Sequence, residues 1–101
     1  MRRAAAVDAN QSAIVAALRK AGCTVQPLHS VGQGCPDLLV GRLGVNYLIE
    51  VKDGSKPPSA RKLTSHQVEW HGGWNGRVAI AETIGAALDA VGIVFGGVGH
   101  G

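Results

Sequence analysis

Three residues in this chain of 101 have the types and spacing for one kind of chemistry: Asp37, Glu50 and Lys52. Side chains alternate along a strand. In NYLIEVK (46–52) the residues Asn46, Leu48, Glu50 and Lys52 therefore share one face, and Tyr47, Ile49 and Val51 share the other. The second set is apolar and must face a core. Glu50 and Lys52 then stand side by side, roughly 7 Å apart at about 3.4 Å per residue. Asp37 opens the preceding strand, and a tight turn near Gly44 brings it back to the Glu50–Lys52 end. Two carboxylates about 4 Å apart repel by about 4 kcal/mol at an effective dielectric of about 20. A hard divalent cation, Mg2+ or Mn2+, offsets that repulsion. The backbone carbonyl of Val51 can add a third ligand. Such an ion can activate a bound water, and Lys52 can orient that water or stabilise developing negative charge. These parts suffice for phosphodiester hydrolysis. The spacing alone is also met by a surface ion pair between Glu50 and Lys52, which contributes little.

The elements that must hold these residues can be read in order. Residues 1–6 form a loose basic arm. Asp8 or Asn10 caps a helix running to about Ala21, with Val7, Gln11, Ile14 and Leu18 on one face and Gly22 as its left-handed stop. Thr24 to His29 is a short extended segment, and SVGQGCP is a glycine-rich loop. DLLVGR (37–42) and NYLIEVK (46–52) make a hairpin. DGSKPPSARKL is an exposed basic loop. Thr64 begins a second helix that Gly72-Gly73 weakens. RVAIAE (77–82) is another strand, TIGAALDAVG (83–92) a last helix, and the tail begins apolar and ends in glycine. The order predicts an α/β domain, a mixed sheet of about four strands flanked by helices on both faces.

The stretches HSVGQGCPDLLVG and YLIEVKDGSKPPSARKLTSHQVEWH carry a joint pattern of PD, ExK and Q-x-x-W-H. In this the chain resembles the PD-(D/E)xK nuclease superfamily, with its restriction-endonuclease-like fold. More narrowly it is similar to the VRR-NUC family, the virus-type replication-repair nucleases, in the short stand-alone form found in phage genomes. The likeness covers about residues 7–92. It implies that Asp37 and Glu50 bind the metal, that Lys52 is the catalytic lysine, and that Gln67 completes the site from the second helix. It further implies a structure-selective DNA endonuclease acting on branched DNA such as Holliday junctions or flaps, as a homodimer. The chain departs from the pattern at Gln11. Many relatives have a glutamate in the first helix, whereas the nearest groups here are Gln11 and, less well placed, Asp8. A glutamine carbonyl can reach a metal but brings no charge.

Gln67 also has a reading independent of the resemblance. Leu63, Gln67, Trp70 and Trp74 lie on one helical stripe, so Gln67 points inward and needs a partner. Thr64 and Gln67 equally form a T-x-x-Q capping box, and the two roles are expected to coexist only if Gln67 turns away from the cap. Trp70 and Trp74 are read as core. Lys56, Arg61 and Lys62 can hold phosphates beside the site. His66 and His71 do not share a helix face, so paired metal ligation is not expected, though either can touch DNA.

Composition sets the frame. The chain is 46% hydrophobic with a formal charge of +3, which fits one folded domain over 1–101 and a nucleic-acid partner. Cys23 and Cys35 make no disulfide framework and lack the paired spacing of a zinc site. No apolar run spans a membrane, and no nucleotide-cofactor motif is present; a cytoplasmic protein is expected (host cytoplasm if viral). Small size favours a two-fold dimer, with the apolar tail near residues 93–95 as one patch. The competing reading is a DNA-binding module of the same fold without catalysis. A nuclease for RNA or single strands is a third.

Overall fold

The computed structural model describes residues 7–93. Its elements run α1 (Gln11–Lys20), β1 (Thr24–Pro27), β2 (Leu38–Arg42), β3 (Val45–Val51), a 3-10 turn (Pro58–Ala60), α2 (Ser65–Gly73), β4 (Val78–Ala81) and α3 (Ile84–Ala90). The sheet has four strands in the order β1-β2-β3-β4. The first two pairings are antiparallel and β3–β4 is parallel. This is the expected mixed α/β sheet.

The alternation along β3 sorts the two faces. Ile49 and Val51 pack with Leu38 and Val40 of β2, Ile14 and Leu18 of α1, and Ala87 and Leu88 of α3. Ile14, Leu18, Leu38, Val40 and Ile49 have no exposed surface. Each such side chain contributes about 1.5–3 kcal/mol by leaving water. The opposite face of β3 carries Glu50, and α2 lies against it there, through hydrogen bonds from Gln67. None of the α2 residues is buried. Trp70 and Trp74 are therefore not core. They stack on each other, centroids 4.6 Å apart and planes 17° apart, and Trp74 is 47% exposed. The pair lies with Leu39 and Leu48 on the face of the sheet opposite the main core.

The β2–β3 turn is tighter than its sequence suggests. Leu43 (φ 49°) and Gly44 (φ 80°) both take left-handed conformations, as a two-residue type I′ hairpin turn requires. Asn10 precedes α1 but does not cap it. Its backbone is already helical (φ −85°, ψ −1°), whereas a capping side chain needs extended backbone to turn back onto the helix. Asn10 instead donates to the carbonyls of Lys52 (3.0 Å) and Glu82 (3.2 Å), tying α1 to the end of β3. Ile93 is partly buried against the core; residues 94 and 95, and the basic arm at 1–6, lie outside the described residues. No described helix is long and apolar enough to cross a membrane.

Candidate active site

Asp37, Glu50, Lys52 and Gln67 line one cavity of about 360 Å³. The hairpin brings the first three together. Leu38 pairs with Ile49, so the next step of that register sets Asp37 beside Glu50, and the step after sets Pro36 opposite Val51. Proline has no N–H to give to the ladder. Pro36 therefore gives no N–H to the Val51 carbonyl, and the Val51 N–H goes to Asp37 Oδ2 at 2.7 Å.

Glu50 is 1% exposed and Lys52 8%. Burial, then the neighbouring Asp37 carboxylate, pushes Glu50 up to about 9, against a partial downward pull from Lys52. A carboxylate so placed holds a proton near neutral pH or has it displaced by a cation. The donor set fits a hard divalent ion: the neighbouring carboxylates of Asp37 and Glu50 line one shared cavity. No group of three or more His, Cys, Asp or Glu side chains is arranged to hold a metal among the described residues. An ion here would rest on Asp37, Glu50 and the main chain.

Gln67 performs both of the roles that seemed exclusive. Its Oε1 accepts from Thr64 N (2.9 Å) and from Lys52 Nζ (2.8 Å), while its Nε2 donates to Glu50 Oε2 (3.0 Å). The Thr64 hydroxyl accepts from Gln67 N at 3.2 Å, completing the capping box. A carbonyl oxygen has two lone pairs, so one side chain caps the helix and bridges the lysine to the glutamate without turning away.

The first-helix position is also revised. Gln11 is 5% exposed and its Oε1 has no hydrogen-bond partner, but it lies outside the cavity and lines a separate groove beside Val15 and Pro27. Asp8 lines the cavity of Asp37 and Glu50, and its charge adds a smaller upward push on Glu50. Asp8 precedes the helix and so can lean over its start, whereas the α1 stripe carries Gln11 towards β1.

His71 was missed. Its Nε2 lies 3.5 Å from Glu50 Oε1, a weak contact, and burial, then Lys52, lowers its pKa. The available signal was its i+4 spacing from Gln67, which puts both on one helix face. His66 is exposed and lines the cavity. Of the basic loop, Lys62 is exposed and Lys56 sits 3.8 Å from Asp8. Arg61 is engaged elsewhere: it pairs with Glu82 at 2.9 Å and donates to the Lys56 carbonyl at 2.8 Å, strapping the loop to the end of β4.

The glycine-rich loop closes the cavity. Gly34 (φ 83°) packs so closely on α2 that a Cβ there would collide with the His66 carbonyl. Cys35, next in line, has its thiol pushed up by burial, Glu50 and Asp37, so it stays protonated beside the carboxylates.

The four-stranded mixed sheet flanked by three helices is consistent with the fold of PD-(D/E)xK nuclease domains. No family model matches the chain, and no curated protein matches it. A solved structure described as a "VRR_NUC domain" is similar to it with a TM-score of 0.59, at 25% identity, over 80% of this chain and 88% of that one. Within the class, that likeness supports the VRR-NUC family for this chain, as its motifs imply.

Proposed function

We propose that this domain is an Mg2+- or Mn2+-dependent endonuclease that hydrolyses phosphodiester bonds in branched DNA, such as Holliday junctions or flaps. The observation that carries the reading is the convergence of Asp37, Glu50, Lys52 and Gln67 on one cavity. Asp37, Glu50 and the Val51 carbonyl would hold the ion, with Asp8 at the cavity edge in place of Gln11. A bound divalent ion there would lower the pKa of a water and neutralise charge on the phosphate. The Lys52 ammonium, fixed by Gln67, is aimed at the space beside Glu50 and stabilises negative charge that develops on a phosphate oxygen. Gln67 keeps Glu50 oriented while Lys52 is engaged. Lys56, Lys62 and His66, of which His66 lines the cavity, would hold the flanking phosphates; Arg61 shapes their loop.

The preference for branched DNA rests on the family likeness and on assembly. One site cuts one strand, and symmetric cutting of a junction needs two sites related by a two-fold axis, so a homodimer is part of the proposal.

The test is cleavage of a labelled four-way junction, with linear duplex, single-stranded DNA and RNA as controls. It is run with Mg2+, Mn2+ and EDTA for wild type and Lys52→Ala. Metal-dependent cutting of the junction, lost in the variant, is expected. Cutting of the controls alone discards the junction preference. Binding without cutting in either metal leaves a DNA-binding module of this fold.

A further inference from the structure

Beside the catalytic cavity lies a second groove of about 490 Å³, walled by Trp70 and Trp74. Its floor is Leu39 and Leu48, cross-strand neighbours on the Glu50 face of the sheet. Arg77 stands exposed at its rim, and among the described residues no carboxylate pairs with it. Cys35 lines both this groove and the catalytic cavity. We propose that the groove binds an unpaired nucleobase of the strand whose phosphate occupies the catalytic cavity. The proposal rests on the nuclease reading for its substrate and adds a base-binding subsite to it.

Four observations choose that occupant. The tryptophans are stacked and nearly parallel, and Trp74 keeps 47% of its surface exposed; a flat base can extend such a stack on an open indole face. The mostly apolar floor suits the face of a base and gives no partner to a charged group. Arg77 supplies positive charge where the sugar-phosphate backbone would leave the groove. Finally, the groove adjoins the catalytic cavity, with Cys35 lining both, so one strand can pass from one to the other. Gly76 belongs to the device: a Cβ there would come within 2.8 Å of Trp74 Nε1, so glycine lets the ring lie where it does.

Both tryptophans of the chain line this groove, so tryptophan fluorescence reports on it directly. The experiment uses the full chain carrying Lys52→Ala, titrated with a short labelled oligo-dT and with the same oligonucleotide made abasic. Anisotropy reads binding, and tryptophan emission reads the groove. Oligo-dT is expected to quench emission and the abasic strand to leave it unchanged. Adding Trp74→Ala should weaken oligo-dT binding about 5- to 150-fold, the range for losing one base–aromatic stack. It should leave abasic binding unaffected, and Trp74→Phe should retain most of the affinity. Circular dichroism of each variant separates loss of the groove from loss of fold.

Binding of oligo-dT with unchanged emission and no response to Trp74→Ala overturns the proposal, as does absence of binding. A dimer in sedimentation that Trp74→Ala dissociates, without any oligonucleotide effect, also overturns it and gives the groove to a second copy of the chain. Cleavage by the wild type with Mn2+ reads the nuclease separately. Cutting without quenching removes only the base subsite, and quenching without cutting removes only the nuclease.

Discussion

Lys52 Nζ donates to Gln67 Oε1 at 2.8 Å, so the lysine at the end of a buried strand is held by the first turn of a helix on the sheet's second face. The same oxygen caps that helix at Thr64. Helix start and lysine position are thus one hydrogen-bond system, and a change at either end is felt at the other.

Separate substitutions resolve the two roles of Gln67. Thr64→Ala removes only the hydroxyl cap and should cost about 1 kcal/mol of stability, with a small loss of activity. Gln67→Ala also leaves Lys52 and Glu50 without their bridge, adding about 1–3 kcal/mol for buried polar groups left unpaired. It should lower kcat far more than Thr64→Ala does. Denaturant midpoints and turnover measured on both variants check this; equal activity losses would show that Gln67 acts only through the cap.

Stability should depend on pH in a direction set by Glu50. Folded Glu50 is pushed up to about 9 from an ordinary 4.5. Between those values the folded state holds a proton that the unfolded state has released, so metal-free stability is fully present below about 4.5 and falls as pH rises towards about 9. A divalent ion replaces the proton, so Mn2+ should raise the Tm more at about pH 8 than at about pH 5.5. Glu50→Gln should flatten the metal-free profile and remove most of the metal response. A wild-type Tm that rises with pH in EDTA would contradict this ordering.

Asp8 and Gln11 should behave oppositely. Asp8 lines the cavity of Asp37 and Glu50, and Gln11 lines a separate groove. Asp8→Asn is expected to raise the Mn2+ concentration needed for half-maximal activity several-fold. Gln11→Met fills the same space and removes a buried oxygen with no partner, so it should be neutral or stabilising by up to about 1 kcal/mol with activity retained. Metal titrations and thermal melts of the two variants decide between these positions; a larger metal effect from Gln11→Met would reverse the assignment.

Gly34→Ala should damage both fold and site. A methyl there meets the His66 carbonyl, and the backbone is left-handed at φ 83°. The strain should cost more than about 1 kcal/mol and push the loop away from α2. Lower Tm and lower kcat together are expected. A variant as stable and active as wild type would mean the loop does not hold this close approach.

Leu43→Asn tests the hairpin. Leu43 is 83% exposed and held at φ 49°, a conformation asparagine tolerates better and the Asn-Gly turn prefers. Stability should rise by several tenths of a kcal/mol, with activity unchanged because the turn lies at the far end of the hairpin from Asp37. Chemical denaturation of the variant provides the measurement.

Much of this was legible in the sequence because it depends on short-range periodicity. The two-residue alternation of NYLIEVK places Glu50 and Lys52 on one face whatever the rest of the chain does, and the hairpin returning Asp37 to them follows from a tight turn between two apolar runs. The mixed sheet and the order of its elements followed in the same way. What only the tertiary structure decided are the choices between neighbours with similar local prospects. Asn10 reaches across to Lys52 and Glu82 instead of capping its helix. Asp8, not Gln11, meets the cavity, because Asp8 precedes α1 whereas Gln11 shares the buried face of Ile14 and Leu18. Trp70 and Trp74 have core-like spacing, yet they border an open groove, since helical periodicity specifies a shared face but not what covers it. Sequence determines which groups travel together on an element; packing against distant residues determines where that element points them.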